Sequence, residues 1–188
     1  MTTDGPDFSD AHERDEAPGT EDALDDRDPA ELAAELMRRA RYGRLTVAVA
    51  ESLTGGQLAA ALTSVPGASS VFRGSVTAYA TDLKASILGV DATLLAEHGA
   101  VHPEVARQMA EGVRRLCGAD VGVATTGVAG PEPQDGRPVG TVYTAVATPD
   151  GTSSRRWWFT GSRARIQRSS TAAALNMAVG RLEMWTGS

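Results

Sequence analysis

Leu45-Thr46-Val47-Ala48-Val49-Ala50, LTVAVA, runs directly into Glu51-Ser52-Leu53-Thr54-Gly55-Gly56 and then QLAAALTSV at 57–65. The first six residues are nearly all apolar and rich in β-branched side chains, the composition of a strand buried in a parallel sheet. The segment after the loop at Glu51-Ser52 reads as a helix through Val65, where Pro66-Gly67 breaks it. A buried strand passing through a short loop into a helix is the start of an α/β alternation.

The flanking sequence continues that alternation. Asp28-Pro29 supplies an N-cap acceptor and a proline at the first helical position, and ELAAELMRRA then puts Leu32, Leu36 and Met37 on one side. That helix is expected to reach Tyr42 and stop at Gly43. Downstream, Gly74–Ala80 reads as a strand, Thr81–Leu88 and Asp91–Glu97 as short helices, and Pro103–Leu116 as a longer one. Val121–Thr125 is a third strand, followed by a Gly/Pro-rich loop, Thr126–Pro138. Val139–Thr148 and Ser153–Thr160, joined by Pro149-Asp150-Gly151, form an antiparallel hairpin. From Gly161 a terminal helix offers Ile166, Ala173, Leu175, Met177 and Leu182 for packing. The expected fold class is α/β: a layered α/β/α arrangement with a mixed, mostly parallel sheet and a C-terminal hairpin plus helix.

With 188 residues, 41% hydrophobic and 22% charged, the chain suffices for one domain of ordinary size. The formal net charge of −6 is unevenly spread: residues 1–28 hold eleven acids and two arginines, whereas 29–188 carry a net +3. Residues 1–28 have almost no large apolar side chains and are expected to be a disordered acidic tail, leaving 29–188 as a single domain. The mildly basic domain suits a small anionic ligand and is too weakly charged to argue for nucleic acid. No apolar run approaches the roughly 18 residues of a membrane span, and the N-terminus lacks a secretory signal, so a cytoplasmic protein without a membrane partner is expected. The single cysteine, Cys117, excludes an intramolecular disulfide and a cysteine zinc cluster, and reads as a buried small hydrophobe.

Seventeen of the eighteen basic residues are arginine; the exception is Lys84. An arginine-rich background follows from a GC-rich genome, but that does not account for the exception. Arginine cannot lose its proton in a protein, whereas a buried lysine becomes a neutral base. Two readings of Lys84 stand at this point: a proton-transfer group, or a surface survivor. Lowering its pKa from about 10.4 to about 7–8 needs roughly 3–5 kcal/mol of differential solvation, which a dry pocket supplies.

Two loops follow buried strands, where open α/β sheets bind ligands. In Glu51-Ser52-Leu53-Thr54-Gly55-Gly56, a serine stands before a glycine-rich helix start whose amides attract phosphate or carboxylate; a plain connection capped by Ser52 or Thr54 reads equally well. In Thr125-Thr126-Gly127-Val128-Ala129-Gly130, hydroxyls and amides suit a pocket wall or an oxyanion site, as they suit a structural turn. His98 and His102 straddle Gly99 and precede Pro103, which favours a surface or capping role over a metal pair, while His12 lies in the tail. Trp157, Trp158 and Phe159 read as core or interface. Arg163, Arg165 and Arg168 form a basic face, solvated or turned toward a phosphate.

Taken together, AESLTGG at 50–56, VPGASSVFRGSVTAYATDLKASILGV at 65–90 and TTGVAGPEPQDGRPVGTVY at 125–143 resemble the CinA C-terminal domain family. The likeness runs over roughly residues 30–185. It implies hydrolysis of the carboxamide of nicotinamide mononucleotide to the acid, with release of ammonia, by an enzyme that uses no metal and no cofactor. By that resemblance the catalytic set is Ser52, Tyr79, Lys84 and Thr126. Ser52 would be the nucleophile, Lys84 its base, and Tyr79 an orienting or relaying group. Substrate contacts are expected from Glu51, Thr54, Gly55, Gly56, Gly127, Gly130 and Arg163, with the Gly55-Gly56 helix start and Arg163 taking the 5′-phosphate.

Two positions depart from the family pattern. Leu53 stands where the family often has cysteine, which argues that a thiol there is dispensable. The terminal helix, commonly G-D-R-x-x-I-R, reads Gly161-Ser162-Arg163-Ala164-Arg165-Ile166-Gln167, so the second arginine has become Gln167. Larger family proteins carry a separate N-terminal nucleotide-processing domain, whose activity is expected to be lacking here. The alternatives are a non-catalytic nucleotide-binding or regulatory module of the same fold, an amidase for another small amide, or an interaction protein acting through its tail. A homo-oligomer is expected from Trp157 and Trp158 on an edge hairpin.

Overall fold

The computed structural model describes residues 27–186; the expected tail through residue 26 lies outside them. Arg27 and Asp28, assigned to the tail, already contact the fold. Arg27 Nη1 donates to Asn176 Oδ1 at 2.7 Å, and Asp28 Oδ1 accepts from Ala30 N at 3.2 Å as the N-cap of α1.

Six helices and five strands follow in alternation: α1 (Pro29–Tyr42), β1 (Val47–Glu51), α2 (Gln57–Thr63), β2 (Phe72–Thr77), α3 (Thr81–Leu88), α4 (Ala92–His98), α5 (Pro103–Cys117), β3 (Val121–Gly127), β4 (Thr141–Thr148), β5 (Gly151–Trp158) and α6 (Arg163–Thr186). The strands form one sheet in the order β2-β1-β3-β4-β5. β1 pairs in parallel with both β2 and β3, whereas β4 is antiparallel to β3 and to β5. Only β4 is reversed, so the sheet is mixed as the sequence implied, although half of its ladders are antiparallel.

Strand alternation divides the core into two layers. Val47, Val49, Val121, Val123 and Val146 face α1, α2 and α6. Ala48, Ala50, Ala124, Ala145 and Ala147 face the α3–α5 side, where small side chains let α5 lie close to the sheet. β1, β3 and β4 are buried throughout, the consequence of helices on both faces.

Most elements begin or end within a few residues of the sequence reading, and three of the differences bear on the site. α2 ends at Thr63 rather than Val65. β2 starts at Phe72 and ends at Thr77, because the carbonyls of Ala78 and Tyr79 leave the sheet to accept from Lys84. β3 continues through Thr126 and Gly127, which pair with Tyr143 and Val142 of β4. In the hairpin Trp157 and Phe159 are buried and Trp158 is exposed, with Trp157 Nε1 donating to Thr144 Oγ1 at 2.8 Å. Cys117 is half-buried rather than fully buried, packed partly against the α3–α5 core. His102 caps α5, its Nδ1 accepting from Glu104 N at 3.2 Å, with its ring stacked on His98 at 4.9 Å.

Candidate active site

β1 and β3 end side by side where the strand order reverses. The connection from β1 to β2 runs through α2 on one face, and that from β2 to β3 through α3–α5 on the other. Such a divergence leaves a crevice at the carboxyl ends of the central strands. Ser52 sits at its floor, directly after β1, with its N–H donating to Thr125 O of β3 at 3.1 Å. A cavity of about 80 Å³ opens over it, walled by Ser52, Tyr79, Gly127, Gly130 and Arg163 of the predicted set.

Lys84 comes from the first turn of α3 and is 1% exposed. Its Nζ lies 2.8 Å from Ala78 O, 3.4 Å from Tyr79 O and 3.1 Å from Ser52 Oγ. A neutral amine has two N–H bonds and one lone pair. As the ammonium, Nζ donates to Ser52 Oγ and to both carbonyls; once it gives up a proton, the two carbonyls can hold its remaining N–H bonds and the lone pair faces the Ser52 hydroxyl. Burial brings the pKa of this amine down from 10.5 to about 8, against the opposing pull of the carboxylates of Asp135 and Asp82.

Glu51 and Thr54 have other work. Glu51 is wholly buried, and its Oε2 accepts from Thr54 Oγ1 at 2.7 Å, Gly56 N at 2.9 Å and Leu58 N at 3.1 Å; Oε1 accepts from Ala59 N at 2.8 Å. Thr54 Oγ1 also pairs with Thr125 Oγ1 at 2.8 Å. Gly56, at φ +103°, turns the chain so that these amides converge on the carboxylate. The remaining amides of that turn are engaged too, Gly55 N on Ser52 O and Gln57 N on Thr54 O. The helix start expected to receive a phosphate is therefore capped from within by a carboxylate, and an anion there would meet like charge. Glu51 and Thr54 thus shape the turn carrying Ser52, and none of Glu51, Thr54, Gly55 and Gly56 lines this cavity.

Thr126 is also placed differently. Its buried hydroxyl donates to Ala100 O at 2.7 Å, between α4 and α5, and does not line the cavity. Tyr79 does line it, but its carbonyl, not its phenol, reaches Lys84. The phenol oxygen accepts from Arg163 Nη2 at 2.6 Å, so this geometry assigns the ring to the rim rather than to a proton relay. Arg163, at the start of α6, also donates from Nη1 to Gly130 O at 2.7 Å and stands as the cation of the rim.

Val128 and Ala129, given by the sequence as part of the loop suited to a pocket wall, do line the cavity, and so do Glu132 and Gln134, which the sequence reading did not single out. Its signal for them was only regional, the length and Gly/Pro content of the loop, because no single residue type marked them.

Comparison with known proteins agrees with this architecture. A model of the CinA C-terminal domain matches residues 29–182. The chain belongs to the CinA C-terminal domain family. A CinA-like protein of Frankia casuarinae is 54% identical over 132 residues, 70% of this chain and 30% of that relative. A CinA-like protein of Geobacter metallireducens is 46% identical over 139 residues, 73% of this chain and 34% of the relative. The chain thus matches about a third of the length of these relatives. A competence-damaged protein (CinA) superfamily structure from Klebsiella pneumoniae aligns with TM-score 0.81 at 31% identity, covering 85% of this chain and 100% of that one. One from Escherichia coli aligns with TM-score 0.76 at 31% identity, covering 79% and 87%.

Both departures of this CinA domain are accommodated. Leu53 is buried against Trp157, Phe159 and Ile166. Gln167 Nε2 donates to Leu53 O at 2.7 Å, which ties α6 to the serine loop. Gln167 is off the cavity wall, so its substitution for arginine leaves the cavity's own cation, Arg163, in place. Among the described residues no helix is long and apolar enough to cross a membrane.

Proposed function

We propose that this domain hydrolyses the carboxamide of nicotinamide mononucleotide to the carboxylic acid and ammonia, with Ser52 as nucleophile and Lys84 as its base. The observation that carries the reading is the 3.1 Å approach of a buried lysine amine to the serine hydroxyl at the base of the cavity. A serine is a weak nucleophile until a base takes its proton, and a lysine serves only when its amine is uncharged. Both conditions favour this pair.

Neutral Lys84 accepts the Ser52 proton as Oγ bonds to the amide carbon, and the carbonyl π electrons move onto oxygen. The N–H groups of Leu53, Ala129 and Gly130 belong to cavity-wall residues and donate to no acceptor among the described residues, which makes them available to the oxyanion. Preorganised donors of this kind contribute about 3–4 kcal/mol each in acyl transfer. The tetrahedral intermediate collapses, the C–N bond breaks, and the Lys84 ammonium returns its proton to the departing nitrogen as ammonia. Water then attacks the acyl-serine, Lys84 takes its proton, and return of a proton to Ser52 releases the acid. The recessed volume of about 80 Å³ suits the carboxamide end, so the nucleotide lies outward across the rim, its phosphate toward Arg163.

Ammonia release over a panel of pyridine nucleotides and other small amides tests the reading. Turnover of nicotinamide mononucleotide by wild type, and its loss in Ser52→Ala with the fold intact, is the expected result. Equal, negligible release by both proteins would refute it, and preference for another amide would reassign the substrate. Trp158, exposed on the edge strand β5, motivates the further proposal of a homo-oligomer, which sedimentation tests directly.

A further inference from the structure

The loop from Val128 to Gly140 supplies the outer wall of the cavity, with Val128, Ala129 and Val139 packed on the core and its middle exposed. Residues 131–136 are all exposed. Its far end is shaped as a small hairpin: Gln134 N donates to Arg137 O at 3.1 Å and Arg137 N to Gln134 O at 2.8 Å, placing Asp135 and Gly136 at the tip. Asp135 is held at φ +52°, one of two non-glycine residues in the left-handed region among the described residues. An Asp-Gly pair supplies the positive φ that both central residues of a two-residue hairpin turn need, and the turn carries the Asp135 side chain to a contact beyond the loop.

The contact is with the turn between α4 and α5. Asp135 Oδ2 accepts from Ala100 N at 2.7 Å. Gly99, at φ +73°, makes room: a Cβ there would run into the Cβ and Cγ of Asp135. The same residue is held on its other side, where the Ala100 carbonyl accepts from Thr126 Oγ1 at 2.7 Å. A chain of hydrogen bonds therefore joins the end of β3, beside Ser52, to the turn, and the turn to the loop tip. It also explains the buried Thr126 hydroxyl, which the reaction scheme does not use.

We infer that Asp135 is a positioning residue, docking on the Gly99-Ala100 turn and so seating the 128–140 loop as the wall of the Ser52 cavity. The inference deepens the amidohydrolase reading and rests on it for its catalytic consequence, but the docking contact stands apart from any activity. Seated, the loop presents Gly130, Glu132 and Gln134 to the substrate and holds Gly130 O for Arg163. It also keeps the Asp135 carboxylate near enough to act on Lys84, together with Asp82 of α3.

Two substitutions separate the contact from the backbone strain, since glycine and asparagine both tolerate positive φ. Asp135→Gly removes the acceptor; Asp135→Asn keeps an oxygen acceptor and removes the charge. Hydrogen exchange on the full chain is read at the Ala100 amide and over residues 128–140. The expected result is that Asp135→Gly exposes both to exchange about tenfold faster, and that Asp135→Asn restores most of the protection. With nicotinamide mononucleotide, Asp135→Gly should raise KM about tenfold with kcat changed much less, and Asp135→Asn should recover KM while moving the alkaline rise of the rate to lower pH. Unchanged exchange at Ala100 in Asp135→Gly would overturn the docking contact, and unchanged KM in an active Asp135→Gly enzyme would overturn its positioning role. If wild type releases no ammonia from any amide, the amidohydrolase reading fails by itself, and exchange still decides the contact.

Discussion

The buried amine of Lys84 makes stability depend on pH in a direction opposite to that of a salt-bridged lysine. Its pKa is about 8 in the folded chain against 10.5 for the ordinary group. Below pH 8 both folded and unfolded chains carry the proton, and the folded state bears the whole cost of burying a charge. Between pH 8 and 10.5 the folded chain releases the proton while the unfolded chain keeps it, so stability rises with pH. Above 10.5 neither holds it, and the cost is gone. A difference of this size is worth about 3 kcal/mol in all, of which about 2.5 kcal/mol appears between pH 7 and pH 10.

Other groups titrate over the same range, so the comparison is with Lys84→Met, which keeps an unbranched chain of similar length without the amine. Urea unfolding of both proteins at pH 7, 8, 9 and 10 gives a difference in unfolding free energy at each pH. That difference should move by about 2.5 kcal/mol in favour of wild type from pH 7 to 10, equivalent to roughly 5–10 °C in Tm for a domain of this size. Its absolute value at pH 7 is less informative, because methionine also leaves the Ala78 and Tyr79 carbonyls without a donor. A flat difference, or one that moves toward the variant, would refute the buried, deprotonating amine and the base chemistry built on it.

The rate should carry the same signature: kcat/KM for ammonia release rises about tenfold per pH unit below 7, about fivefold from pH 7 to 8, and levels above, because only the neutral amine is competent. Lys84→Arg should nearly abolish turnover at every pH while circular dichroism stays native, and retained activity would remove Lys84 as the base. Glu51→Ala should lower the unfolding free energy by about 3–5 kcal/mol by leaving three helix amides and the Thr54 hydroxyl without their acceptor, as read by denaturant titration. Thr126→Val should cost about 1–2 kcal/mol in stability with kcat within about threefold of wild type; a collapse of kcat alone would return its hydroxyl to the chemistry. Chelators should leave the rate unchanged, and inhibition reversed by a metal ion would count against the scheme.

The α/β alternation was legible because its signals are local. Asp28-Pro29 opens a helix and Gly43 closes it, Pro103 stands at the start of another, and the central strands are largely apolar runs. Ser52 and Lys84 were legible for different reasons, one from its place after a buried strand and one from being the sole lysine. Roles that depend on hydrogen-bond direction were not. Glu51, Thr54 and Thr126 carry the residue types of a site, but their polar atoms point to helix amides and to Ala100 O, and sequence spacing contains no information on where a side chain aims. Asp135 escaped notice altogether: its partner, the Ala100 amide, is 35 residues away and belongs to a backbone group that any residue would supply.

The partners of Glu51 bear on the proposed base. A carboxylate one residue before Ser52 would be an obvious ion-pair partner for Lys84, and an ion pair would hold the amine charged and unfit for the proposed role. The α2 turn prevents this by spending both Glu51 oxygens on three amides and a hydroxyl, and Glu51 is not among the charges that act on Lys84. Those charges come instead from Asp82 and Asp135, whose pull is weaker than the effect of burial. The glycine pair at 55–56 lets the helix start fold back onto Glu51, so that its carboxylate is aimed at helix amides while burial is the largest influence on the Lys84 amine.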